Sequence, residues 1–269
     1  MTPRLRFLLG ITIYAVFVTA CVATLASRGE LTLGREPLKN LQRTVSDFSR
    51  PSFVDVWFGN PRLEYRSDDG AVLRVEDRRA EERKFLAAVG RAVWITLVIA
   101  TLGTLLAFVA ALPLAMATAR NLGAPRSLRL IADGVLNVCR SIHTLVFGLL
   151  FVGIFGLGPV AGILAVTAHS LGTLGKLFAE AIEALDMESA EAVRATGASG
   201  LQTFFTAIWP AALPQLVSTV LYVWEFNIRD STVLGLVGAG GLGLLISESM
   251  SLFQWGRLAT LFIALVAVV

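Results

Sequence analysis

Charge is what this sequence has least of. Only 16% of its 269 residues are Asp, Glu, Lys or Arg, where a soluble domain carries about a quarter. That shortage excludes an ordinary soluble globular domain. Cysteine is scarce too: Cys21 and Cys139 lie in or beside apolar segments. Neither has a CxxC partner or metal-ligand spacing, which excludes a disulfide framework and a thiolate metal site. Both read as free thiols that pack as small apolar groups. The two histidines, His143 and His169, are not spaced as a metal site, so no metal is expected. No GxxxxGK[ST] phosphate loop occurs, so any ATP hydrolysis must come from another subunit. The stretch VGAGGLG (237–243) has the glycines of a nucleotide loop but follows a greasy run and lacks a βαβ context. Its glycines instead suit close approach of backbones, at an outer gate or a dimer contact.

What is abundant is apolar sequence, at 55%. Crossing a bilayer takes roughly 20 consecutive apolar residues. Uncharged runs cover 92–119, 141–175, 195–224 and 231–247, and a shorter one covers 258–269. The run at 141–175 is long enough for a hairpin of two spans. Arg4 and Arg6 precede about twenty apolar residues, more than the core of a cleaved secretory signal, so a retained first span is expected over 1–26. The chain therefore reads as an all-α polytopic membrane protein.

Residues 27–91 are the one long polar stretch. LEYRSDDGAVLRVE (63–76) alternates on both sides of an Asp-Asp-Gly turn, a β-hairpin signal. EDRRAEERKFLAAVGRA (76–92) then carries strong helix formers with mixed charges a turn apart, and reads as a helix entering the second span or lying on the surface.

Parity sets the sidedness. Arg4 and Arg6 hold the N-terminus in the cytoplasm, which puts the 27–91 insert outside. The RNLGAPRSLR segment (120–129) has three arginines and no acid, as a cytoplasmic loop should. GLGP (156–159) is an outer turn. Lys176 is back inside, residues 176–212 are cytoplasmic, one span exits after Pro214, and a last one returns from about Trp255, or from nearer Phe253. The result is about six transmembrane helices with both termini inside. The formal charge of +3 fits a mild preference for anions, or basic residues held in cytoplasmic loops.

Between these spans lies EAVRATGASGLQTFFTAIWP (191–210). Helical propensity runs nearly unbroken from Glu180 through Ala195, Gly197 permits a terminating conformation, and Leu201, Phe204, Phe205 and Ile208 form one apolar face. Pro210 and Pro214 are expected to stop or kink the chain before the next span. A short amphipathic helix on the membrane face suits docking into a groove of another protein.

Glu191-Ala192, Gly197 and Ile208-Trp209-Pro210 together resemble the EAA loop of ABC importer permeases. Val193 stands where the family has a second alanine, and Trp209 where leucine is usual. With CRSIHTLVFGLLFVGIFGLGPVAGILA (139–165), HSLGTLGKLFAEAIEALD (169–186) and LYVWEFNIRDSTVLGLVGAGGLG (221–243), the chain is similar to phosphonate-type importer permeases over residues 90–260. The resemblance implies a type I, MetI-like permease domain over 92–269 and a dimer with a second permease copy. It also implies a cytoplasmic ATPase dimer that binds ATP and Mg, and an extracytoplasmic binding protein. This chain itself would carry no cofactor and no catalytic residue, would lie among lipid in a bacterial inner membrane, and would need no nucleic acid. The cargo implied is a phosphonate, phosphite or phosphate-like anion. Glu191, Ala192, Arg194, Gly197, Ala198 and Pro210 would form the coupling surface. Rival readings are a permease of the same class for an amino acid or metal chelate, a secondary transporter, which would show an internal repeat that is not seen, and a receptor or scaffold that binds without flux.

Ionisable residues inside spans are costly and mark function by default. Glu225, Asn227, Arg229, Ser231 and Thr232 lie on the exit span as candidates for the translocation pathway. Glu225 and Arg229 are four apart and can pair, structurally or at the outer interface, while Arg229 can alternatively grip an oxyanion with paired donors. Arg140, His143 and His169 are further candidates. Arg140 can snorkel to the interface, and the two histidines read first as packing or hydrogen-bonding residues.

Overall fold

The computed structural model describes residues 3–28, 37–58, 62–66 and 72–269. The chain divides into two compact units, Met1–Asp47 and Phe48–Val269. In the first, α1 (Pro3–Ser27) is apolar all round and α2 (Pro37–Phe48) is strongly amphipathic.

The second unit begins with α3 (Ser52–Phe58) and an antiparallel hairpin of β1 (Arg62–Arg66) and β2 (Val72–Asp77). The alternation that announces the hairpin is thus realised in its strands; the Asp-Asp-Gly turn lies outside the described residues. The chain then enters α4 (Arg78–Thr118) without a break, so the charged segment runs straight into the span. At 41 residues α4 is about 60 Å long, twice a hydrocarbon core.

Next come α5 (Arg126–Ser141), α6 (Thr144–Phe155), α7 (Pro159–Glu183), α8 (Glu188–Ala195) and α9 (Gly200–Thr203). α10 (Trp209–Leu234), α11 (Leu242–Ser251) and α12 (Trp255–Val268) complete the unit. Among the described residues four helices are long and apolar enough to cross a bilayer: Leu9–Ser27, Arg79–Thr118, Pro159–Glu183 and the continuous Gly200–Ala239. A fifth arises if α5 and α6 count as one broken span.

The third member of the six-span reading is therefore bent rather than straight, with α5 and α6 together making one broken span. α6 has 12 residues, about 18 Å, too short to cross alone. α5 precedes it at 92°. The sequence before Ser141 is amphipathic rather than greasy, so it lies across α7 instead of extending α6. The last helix is also short, with 14 residues. It starts at Trp255, not near Phe253, because Phe253 adopts a positive φ of 53° in the break after α11.

The core is built on small residues. Ala107, Ala111 and Ala115 recur every fourth position along α4, Ala119 follows just past its end, and all four are completely buried. Such a stripe brings helix axes close where lipid offers no hydrophobic drive. Leu174, Phe178 and Ile182 of α7 pack against it, with Phe204, Ile208, Ala212, Leu216 and Val223 of the long helix. α5 crosses α7 more tightly still. A Cβ on Gly172 would stand 2.3 Å from the backbone nitrogen of Arg140 and 2.6 Å from the carbonyl oxygen of Leu136. Beside this crossing Lys176 pairs with Asp133. At the other end Arg257 of α12 holds Glu82 of α4 at 3.0 Å and lies 4.9 Å from the centre of the Phe85 ring.

Candidate coupling hairpin and transport path

The segment after α7 is a hairpin of short helices. The helix expected to run from Glu180 to Ala195 is in fact broken at 184–187. Asp186 causes this locally: its Oδ1 accepts the Glu188 N–H at 3.1 Å and so starts a new helix instead of continuing the old one. α8 then carries Glu188 and Glu191 in its first turn and Arg194 in its last, matching the helix dipole at both ends. Gly197 has φ +85°, the left-handed conformation that lets its N–H reach the Arg194 carbonyl at 2.9 Å. Ser199 and Gln202 form a reciprocal capping box that begins α9.

From Gly200 the helix runs to Ala239. Of the stop or kink expected at Pro210 and Pro214, the stop does not occur. Residues Phe204–Ile208 form a π-turn in which the Trp209 N–H reaches back five residues to Phe204. The wider turn lies just ahead of Pro210, which enters at the start of α10 where its missing donor costs least.

The predicted apolar face divides. Phe204 and Ile208 are buried against the core, whereas Leu201 and Phe205 are exposed. Glu191, Ala192, Arg194, Gly197 and Pro210 are exposed as well, and Ala198 is half-buried. Phe205 and Pro210 lie just beyond, on the helix that follows, and five of the six coupling candidates and Leu201 thus share one short hairpin. Its base is tied to the loop after α4: the Arg120 N–H donates to Glu183 Oε1 at 2.8 Å, and Asn121 Nδ2 to the Ile182 carbonyl at 2.7 Å. Above it lies a polar cavity of about 330 Å³ lined by Arg120, Arg129, Asp133, Lys176, Glu180 and Glu183, among others.

The five pathway candidates on α10 are separated by helix geometry. Residues two apart lie about 200° round the axis. Glu225 and Arg229 face outward, half-exposed and paired at 3.0 Å, with Arg229 5.8 Å from the centre of the Phe226 ring. Asn227, Ser231 and Thr232 face inward and are buried. Asn227 Nδ2 donates to Thr104 Oγ1 of α4 at 2.8 Å, and Ser170 Oγ of α7 donates to Asn227 Oδ1 at 3.1 Å. Ser231 and Thr232 return their hydroxyls to carbonyls one turn back, at 2.6 and 3.3 Å. Asn227 thus ties α10 to α4 and α7, while Ser231 and Thr232 satisfy their hydroxyls within α10 itself.

Two further bonds hold the same stretch. Trp224 Nε1 donates to Thr101 Oγ1 at 3.0 Å, and Thr144 Oγ1 of α6 to Asp230 Oδ2 at 2.7 Å. No local pattern points to these partners, which stand 123 and 86 positions away. Asp230 itself is legible as an ionisable residue on the exit span beside Arg229.

Arg140, His143 and His169 come together at the bend between α5 and α6. Arg140 lies exposed in the last turn of α5 and makes no ion pair with a described residue. His143 caps α6: its Nδ1 accepts the Leu145 N–H at 3.2 Å. His169 of α7 donates from Nδ1 to the Ile142 carbonyl at 2.9 Å. The two imidazole centres are 6.4 Å apart. Their hydrogen-bonding character agrees with the first reading of both rings, but their pairing was not legible from positions 26 residues apart. No group of three or more metal-ligating side chains occurs among the described residues.

Comparison with known proteins agrees with this geometry. The chain is 41% identical over 165 residues to the putative phosphite transport system permease protein HtxC of Stutzerimonas stutzeri, covering 61% of this chain and 58% of that protein. It is 41% identical over 175 residues to the phosphite transport system permease protein PtxC of the same species, covering 65% and 63%. It is 40% identical over 164 residues to the phosphate-import permease protein PhnE of Mycolicibacterium smegmatis, covering 61% and 31%. The chain thus spans less than two thirds of the length of each of these relatives. Among solved structures, the inward-facing MetNI methionine ABC transporter superposes with a TM-score of 0.60 at 24% identity, over 69% of this chain and 93% of that one. At that identity the likeness establishes the fold alone, which is the MetI-like permease fold expected. Residues 103–269 match the family described as Binding-protein-dependent transport system inner membrane component, and the chain, with its apolar spans and α8–α9 hairpin, is a member of that family.

Proposed function

We propose that this chain is the permease subunit of an ATP-driven importer that moves phosphonate, phosphite or phosphate-like oxyanions into the cytoplasm by alternating access. The observation that carries the reading is the α8–α9 hairpin. It presents Glu191, Ala192, Arg194, Gly197, Leu201 and Phe205 on a surface that this chain leaves open. A partner ATPase, which binds the ATP and Mg, grips that surface. Its closure pulls through α9 on Gly200–Ala239, a single helix that carries Leu201 and Phe205 near one end and the Glu225–Arg229 pair further along. The hairpin and the pair are therefore two ends of one lever.

Two copies of the chain face each other across the path, so that Arg229 from each offers paired donors to the anion's oxygens. Glu225 beside it weakens the grip, so that the anion is released again. An extracytoplasmic protein delivers the cargo, the 27–91 insert lies on that side, and both termini are cytoplasmic in an inner membrane. The identity to permeases named for phosphite and phosphate supports the choice of cargo.

The test is reconstitution in proteoliposomes with the partner ATPase and binding protein. Phosphite or methylphosphonate should stimulate ATP hydrolysis and accumulate inside. Flux without the ATPase would overturn the reading, and so would indifference to every phosphorus oxyanion.

A further inference from the structure

At the α5–α6 bend two imidazoles meet whose Nδ1 atoms are both fixed by the backbone. The Leu145 N–H can only donate, so His143 Nδ1 must accept it, and in the neutral ring the proton stands on Nε2. The Ile142 carbonyl can only accept, so His169 Nδ1 carries the proton and its Nε2 holds a lone pair. Neither Nε2 has a hydrogen-bond partner among the described residues. Neither is sealed away: the His143 ring is exposed, and the half-buried His169 is not among the residues with buried, unpaired polar atoms. The bend therefore shows one free donor and one free acceptor on rings 6.4 Å apart. One small tetrahedral group can take a hydrogen bond from the first and give one to the second.

We infer that His143 and His169 form a binding site for a phosphorus oxyanion that still carries a P–OH group. This rests on the transport reading above and names the protonation state that the path selects. The P–O⁻ oxygen accepts from His143 Nε2–H, and the P–OH donates to His169 Nε2. A fully esterified or hydroxyl-free anion would leave the His169 lone pair without a donor. The bend is tied to the α10 stretch that carries Arg229, since Thr144, next to His143, holds Asp230, next to Arg229. Both rings can be altered at Nε2 alone. Asn is a good helix N-cap, so His143→Asn keeps an acceptor for Leu145 while removing the donor. In His169→Asn the amide N–H can still reach the Ile142 carbonyl, and the acceptor is lost.

The experiment measures uptake by the reconstituted transporter near neutral pH, with methylphosphonate and its monomethyl ester as probes. Basal ATPase activity and co-purification of the ATPase report assembly for each variant. The wild type should prefer the acid to the ester. Each Asn variant should assemble normally and raise the KM for methylphosphonate about tenfold, the loss of one hydrogen bond to a charged group. The His169→Asn variant should also lose the preference for the acid. Should either Asn variant fail to assemble, His143→Ser or His169→Ser takes its place, with the same expectation for KM. Wild-type uptake with unchanged KM and acid preference in the variants would overturn the histidine site and leave the transport reading standing. Absence of any wild-type uptake of either probe, or of phosphite, would overturn both.

Discussion

The two faces of α10 carry polar residues of opposite kinds. Inward, Asn227, Ser231 and Thr232 are buried and every bond goes to a named partner. Outward, Glu225 and Arg229 are half-exposed and, among the described residues, pair with each other and with no other charge. On the inner face Asn227 holds α4 and α7 against α10, and the two hydroxyls are satisfied within the helix. The outer face keeps its charges uncommitted by the rest of the chain. In a low-dielectric setting a polar group that is satisfied at home is structural, whereas a charge held by a single exposed neighbour is available to a ligand. Burial and partner count thus separate two roles that hydropathy alone lumps together.

The comparison can be broken in several places. The largest effect is expected behind the inner face, where a Cβ on Gly243 would lie 1.9 Å from the Thr232 carbonyl. Gly243→Val should cost more than about 3 kcal/mol and abolish detergent-stable protein, as size-exclusion chromatography would show. Arg229→Ala comes next and should do the reverse. Uptake in proteoliposomes is lost, while thermal stability changes by less than about 1 kcal/mol, as befits an exposed pair. Unchanged uptake would remove Arg229 from the path. Asn227→Leu should lower stability by about 1 kcal/mol, because Thr104 and Ser170 lose their shared partner; a denaturation curve measures it. If uptake falls further than stability explains, the inner face also touches cargo. The smallest effect is expected from Glu225→Gln. Substrate binds slightly more tightly and turnover slows, read as a drop in kcat with KM falling in step.

Much of this was legible beforehand because it depends on local sequence. Alternation announced the β1–β2 hairpin, and the positive φ of Gly197 realises the turn expected at that glycine. The failures were local competitions won by a neighbour. Asp186 restarted a helix where propensity favoured continuation, and the π-turn at Phe204–Ile208 carried the helix past two prolines. At the site, residue types were readable but orientations were not. Asn227 was grouped with Arg229 because both are polar in one span, although two residues of helix place them on opposite faces.

Composition and periodicity alone determined that the chain is helical and crosses a membrane, and that a helical hairpin interrupts its apolar runs near 191–210, because lipid demands long apolar helices and caps act over a few residues. The packed helices alone decided which polar groups are spoken for. That depends on partners more than a hundred positions away, such as Thr104 for Asn227, which no local pattern encodes. It likewise decided that the α5–α6 segment bends where the histidines meet, because a backbone crossing as close as Gly172 on Arg140 exists only once the helices have docked.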